Sequence, residues 1–238
     1  MARRTKEEAQ ATRSHILDTA ELVFQERGVS RTSLNDIALA AGLTRGAIYW
    51  HFKDKADLFN AMLSRVTLPM EQLVHASDDP QLDAPVDHIL ESFVDALRKT
   101  GHDPQVRRVF DIATNKVEYV DELDKVWERH RQVHADMLSH IESALKRAVQ
   151  RGQVVLRSPA RAVAVGLHAM TTGLIRTWLL EPESFDLVRV GRQVLEGYLA
   201  GMALVPPGPA LPKTVTPAPD SPPAPAAARR GGGRAARS

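Results

Sequence analysis

The 238-residue chain has no cysteine, which excludes a disulfide framework and any thiolate metal site. No apolar run approaches about 18 residues, so no transmembrane helix is expected. The opening MARRTKEEAQATRSH is polar and lacks the apolar stretch of a signal peptide, so a soluble cytoplasmic protein is expected. Catalytic signatures are missing too. There is no GxSxG, HExxH, Walker loop or dinucleotide fingerprint, and the carboxylates form no paired arrangement. The chain is expected not to be an enzyme and to need no cofactor. Strand patterns are scarce as well, because Val154-Val155-Leu156 is too short and isolated to count.

Excess charge is also small. The net charge is +2 despite a pI near 9.0. Lys213, Arg229, Arg230, Arg234 and Arg237 against Asp220 give residues 205–238 a net +4, leaving −2 on residues 1–204. Basicity is therefore a property of the tail and says little about the body. The tail is rich in Pro, Ala and Gly, has almost nothing to bury, and is expected to be disordered or polyproline-like.

Before the tail, helical periodicity dominates. Ile16, Ala20, Val23 and Phe24 form one apolar face, and Gly28 is a natural stop. Leu34, Ile37, Ala38 and Ala41 repeat at helical spacing behind Thr32 or Ser33 as N-cap. Gly42 breaks that helix, Thr44 caps the next over 44–50, and Asp54 caps a longer one with a capping-box-like Asp54-Lys55-Ala56-Asp57. Further helices are expected over 85–99, 103–116, 121–151, 159–180 and 184–204, with Ser158-Pro159 as cap and first helical position. The predicted fold is all-α, about nine helices. Residues 1–53 form a helix-turn-helix domain and 54–204 a helical ligand-binding and dimerisation bundle, with 205–238 as tail.

Residues 34–41, a turn at Gly42-Leu43 and residues 44–50 have helix-turn-helix spacing. In that arrangement the second helix enters the major groove, N-terminal residues foremost. A glycine in so short a helix is costly. Gly46 and Ala47 are small where bulk would hold the backbone off the DNA, while Ile48 points back onto Leu34 and Ile37. Arg45 has the fork that fits guanine or a phosphate. Tyr49, Trp50, His51, Lys53 and Lys55 cluster where the chain leaves the groove and suit phosphates, which set register. Thr32 and Ser33 are placed for the other strand's phosphates, Thr44 lies at the helix N-terminus, and Arg3, Arg4 and Lys6 form a basic arm. Trp50 and Phe52 also suit a core, Phe52 more so.

TSLNDIALAAGLTRGAIYWHFKDKADLFNAML closely resembles the DNA-binding signature of the TetR family of bacterial repressors. RRTKEEAQATRSHILDTAELVF and GLIRTWLLEPESFDL resemble the AcrR/TtgR branch of that family, which controls multidrug efflux pumps. The resemblance implies a homodimer on a palindromic DNA operator, released when a small hydrophobic or aromatic effector enters the C-terminal domain. Two alternatives stay open: a regulator of a metabolic or signalling operon, and a DNA binder without a small-molecule effector.

In the penultimate helix His168, Thr171, Thr172 and Arg176 interrupt an apolar sequence beside Ile175, as a small-molecule cavity with a few placed polar groups requires. Val66, Ile89, Ser92, Phe93 and Ala96 are further candidates, with Phe110, Thr114, Met137 and Ile141 from later helices. The resembling branch carries Asn, His and Asp where this chain has Phe110, Thr114 and Thr172, which implies a less acidic, more apolar cavity. His130 and His134 are spaced to share a metal, but no third ligand is evident and no metal is expected. The last two helices have more apolar residues than one internal stripe needs: Val163, Leu167, Leu174, Val188, Val194, Leu195, Tyr198, Leu199 and Met202. A homodimer through these helices is expected. Pro69 in the helix from Asp54 predicts a kink near residues 65–69, the expected hinge.

Overall fold

The computed structural model describes residues 6–118, 123–182 and 184–204. The arm residues Arg3 and Arg4 and the tail lie outside them. Nine helices are described: α1 (Lys6–Arg27), α2 (Leu34–Ala40), α3 (Arg45–His51), α4 (Lys55–Ala76), α5 (Pro85–His102), α6 (Pro104–Asn115), α7 (Asp124–Gln150), α8 (Ala160–Leu180) and α9 (Leu187–Met202).

Local chemistry sets the boundaries near the N-terminus. Gly28 ends α1 at φ +82°, and Gly42 breaks α2 from α3 at φ +66°, both in the left-handed region. Ser33 is the N-cap of α2, in a reciprocal capping box with Asp36. Asp54 caps α4 by accepting from the Asp57 N–H at 2.8 Å, but Asp57 reaches one residue further back, to the Lys53 N–H at 3.0 Å. Helix α4 runs on through Pro69 to Ala76.

Two expectations need correction. Pro159 occupies the N-cap of α8 rather than its first helical position, and no side chain caps that end. The short segment read as no strand is one: β1 (Val155–Leu156) pairs antiparallel with β2 (Ala203–Leu204), just past α9. Its partner is too far along the chain for a local pattern to show. Helix α8 is, by length and composition, long and apolar enough to cross a membrane, a test that the core helix of a helical bundle also passes. In the fold it packs against α7 and α9.

Two apolar clusters result. The first joins α1–α4 to Val106, Val109 and Ile112 of α6 and to Leu123 and Val126. The second joins α5, α7, α8 and α9. The first cluster passes residue 53 without a break, since Ala56, Leu58, Phe59, Met62 and Val66 of α4 belong to it. Phe110 of α6 packs against both clusters.

Candidate nucleic-acid interface and ligand region

Helix α3 is anchored by one residue. Ile48 is fully buried, in the same cluster as Leu34 and Ile37. The Thr44 hydroxyl caps the helix, accepting from the Ala47 N–H at 3.2 Å. Everything else on the helix faces outward or lies at the margin. Tyr49 is 47% exposed and Trp50 71% exposed, so Trp50 is no core residue, whereas Phe52 is buried. The Arg45 guanidinium lies 5.5 Å from the centre of the Tyr49 ring. The half-buried His51 ring meets Trp50 edge-on at 4.5 Å.

Gly46 is exposed on this face, with no positive φ. A Cβ placed there would meet nothing closer than the Thr44 Oγ1, at 4.0 Å. Neither backbone conformation nor internal packing therefore calls for glycine. An alanine would fit and would favour the helix by roughly 0.5–1 kcal/mol.

Two expected DNA contacts turn inward instead. Thr32 is 2% exposed, and its hydroxyl donates to the Gly28 carbonyl at 2.7 Å. Lys55 is 5% exposed, and its Nζ donates to the carbonyls of Val29 at 3.1 Å and Thr32 at 3.0 Å. These carbonyls lie between α1 and α2 and have no place in a helical ladder, so the buried ammonium satisfies them and is satisfied in return. Ser33 stays exposed, but its hydroxyl both donates to Asp36 Oδ2 at 2.6 Å and accepts from the Asp36 N–H at 3.2 Å. Lys53 is exposed.

The expected ligand residues are only partly gathered. Ile89, Phe93 and Ile141 are buried in the second cluster, with Met137 and Ile175 packed against it. Val66 is buried in the first cluster, and Ala96 packs on that one. Thr114 is half-buried. The Ser92 hydroxyl donates to the His88 carbonyl at 2.7 Å, and that of Thr171 to the Leu167 carbonyl at 2.9 Å. Thr172 and Arg176 are exposed and do not line an enclosed space. The buried face of α8 runs through Val163, Leu167, Thr171 and Trp178, and Thr172 is rotated off it by one residue's turn of ~100°, Arg176 by more.

His168 is half-buried, its ring 4.6 Å from that of His134 on α7. Burial, reinforced by His134 and His130, lowers its pKa to about 4. The His130 ring stacks on Trp127 at 5.8 Å. No group of three metal-ligating side chains is found among the described residues.

Two clefts open at the surface, of about 390 and about 400 Å³. The first includes Gln25, Asp103, Arg107, Arg108 and Leu179, the second Arg13, Asn60, Ser64, Arg65 and Arg129. Neither includes an expected ligand residue, and both are rich in charge where an apolar cavity was expected.

The apolar surplus of α8 and α9 is smaller than expected. Val163, Leu167, Leu195 and Leu199 are buried within the chain. The large apolar side chains these helices expose are Val165, Leu180 and Val194.

Residues 16–62 match the model of bacterial regulatory proteins of the tetR family, and residues 84–203 match the MAATS-type transcriptional repressor C-terminal region. The chain is 40% identical to the HTH-type transcriptional regulator TtgR of Pseudomonas putida over 188 residues, covering 79% of this chain and 90% of the relative. It is 38% identical to AcrR of Shigella flexneri over 205 residues, 84% of this chain and 94% of that one. Among solved structures it is similar to NalD, the secondary repressor of the MexAB-OprM multidrug efflux pump in Pseudomonas aeruginosa. That match has a TM-score of 0.74 at 35% identity, covering 82% of this chain and 97% of NalD. It is equally similar to SmeT in complex with triclosan, with TM-score 0.74 at 34% identity, covering 90% of this chain and 99% of SmeT. SmeT is the repressor of the Stenotrophomonas maltophilia multidrug efflux pump SmeDEF. Helix-turn-helix, bundle and matched relatives agree: the chain belongs to the tetR family of bacterial regulatory proteins and is a DNA-binding transcriptional repressor, not an enzyme.

Proposed function

We propose that this repressor controls a multidrug efflux operon and is released from its operator by a small, largely apolar compound. The observation that carries the DNA half is Gly46, a helix-weakening residue on an exposed face with open space around it. An outside surface that must come close to the α3 backbone accounts for it, and a major groove is such a surface. Arg45 reads a base edge or clamps a phosphate. Tyr49, Trp50, His51 and Lys53 hold the phosphates beside the groove, with Ser33 and Thr44 at the two helix N-termini and Ala47 kept small beside Gly46. Thr32 and Lys55 act from behind, by holding the segment between α1 and α2.

One α3 offers few base contacts, so two copies about 34–36 Å apart on a palindrome are required. The homodimer forms through α8 and α9. Val165 and Val194 are exposed there, and Gly173, Gly197 and Gly201 have open space where a Cβ would stand, which lets a partner helix approach closely. Residues 1–53 present the DNA-binding surface, and 54–204 bind the effector and the partner subunit. The effector enters among Phe93, Ile141, His168 and Ile175 and presses on Phe110. Pro69 serves as the hinge of α4. Efflux control is carried over from NalD and SmeT, and binding of a small compound from the SmeT–triclosan complex.

Fluorescence anisotropy with DNA from just upstream of the protein's own reading frame, with and without triclosan, tests the proposal. Tight binding that triclosan reverses is the expected result. The absence of specific binding to any palindrome in that DNA contradicts it.

A further inference from the structure

Glu21 lies on α1 and is 1% exposed. A carboxylate removed from water is costly unless it is paired and hydrogen-bonded. Its Oε1 accepts from Gln105 Nε2 at 2.8 Å and from Arg65 Nη1 at 3.3 Å. Its Oε2 stands 3.6 Å from the Arg108 guanidinium. Burial pushes the Glu21 carboxyl above the ordinary glutamate range, and Gln105, Arg65 and Arg108 pull it back. Three helices therefore meet at one side chain: α1 supplies it, α4 supplies Arg65, and the first turns of α6 supply Gln105 and Arg108.

The far end of α6 is fixed to the same region by backbone. The Val29 N–H donates to the carbonyl of Lys116, the C-cap of α6, at 2.9 Å. The Val29 carbonyl in turn accepts from Lys55. Helix α6 is thus a strut attached at both ends to the helices that carry α3. Phe110 lies between the two attachments and touches both apolar clusters. A compound pressing on Phe110 moves α6, and a move of an ångström or two takes Gln105 and Arg108 out of reach of Glu21. The carboxylate is then buried with less compensation, and α1 must shift to let water reach it.

We infer that Glu21 is the positioning residue that ties α6 to the DNA-binding helices and converts displacement of α6 into reorientation of α3. This deepens the repressor reading and rests on it.

The test uses the full chain and two variants, Glu21→Gln and Gln105→Ala. The second removes a partly exposed partner and keeps the arginines, so it decides the matter if Glu21→Gln does not fold. Hydrogen exchange, measured without DNA or effector, is expected to speed up about tenfold at the α6 amides in the variants and to stay unchanged in α8. Anisotropy then gives the ratio of operator Kd with and without triclosan, a coupling that commonly spans about 5–150-fold. That ratio is expected to fall toward one in the variants, while calorimetric triclosan affinity stays within about twofold. A purely structural loss would weaken DNA binding and leave the ratio intact. Unchanged α6 exchange, or an unchanged ratio, overturns the inference. A wild-type protein that triclosan does not release counts against release by this compound, and the exchange measurement still decides whether Glu21 ties α6 to the DNA-binding helices.

Discussion

Helices α3 and α8 handle polar groups in opposite ways. On α3 one apolar residue, Ile48, points in, and Arg45, Tyr49 and Trp50 point out. On α8 two polar groups are drawn toward the core, where Thr171 donates to its own helix and His168 is held neutral beside His134. A surface that meets one fixed shape can be complete before its partner arrives. The region proposed to take up an apolar compound is filled by its own side chains, Ile89, Phe93 and Ile141, and such a region opens only by moving them.

The sharpest break between the two helices comes with acid. The unfolded chain takes up the His168 proton near 6.5, the folded chain only near 4. The contribution of His168 is thus fully present above pH 6.5 and is lost as pH falls through the 6.5-to-4 window. The loss amounts to about 3 kcal/mol. Urea unfolding across that window is expected to lose stability in the wild type and markedly less in His168→Leu. A midpoint shift equal in both proteins would contradict it.

Within the DNA-binding half, Lys55→Ala separates support from contact. It takes the side-chain donor away from the carbonyls of Val29 and Thr32, and a loss of about 2 kcal/mol of folding stability is expected by chemical denaturation. Tyr49→Ala, by contrast, is expected to leave stability unchanged, weaken binding to all DNA sequences and flatten the salt dependence. Arg45→Ala is expected to cost about 1–3 kcal/mol of operator binding and to relax base preference at one position. Equal loss across operator variants would limit Arg45 to a phosphate.

The helix-turn-helix was legible because its boundaries depend on neighbours. Ser33, Thr44 and Asp54 cap helices within three residues of themselves, and Gly28 and Gly42 stop them in place. Misreadings came where partners are remote. Lys55 looked like a surface cation because the carbonyls it serves lie 23 and 26 residues back. The polar character of Thr32 and Lys55 is local, but the side of the fold each faces is set by the Gly28, Val29 and Thr32 carbonyls. Glu21 carries no local signal, since its hydrogen-bond partners are 44 and 84 residues away. On α8, composition marked a face with polar groups but could not say how the helix is rotated, so Thr172 and Arg176 were placed inside and Val163 and Leu167 outside. The clefts beside Arg65 and Arg108 arise from helices meeting, which no single segment encodes.

Gly46 carries the central claim, and Gly46→Ala is its most direct test. Thermal or urea unfolding and operator anisotropy should be run on the same preparation. The account predicts opposite signs: stability rises by roughly 0.5–1 kcal/mol, while operator affinity falls. A variant that is more stable and binds as well as wild type would contradict it, because α3 would then have no outside partner that needs the missing side chain.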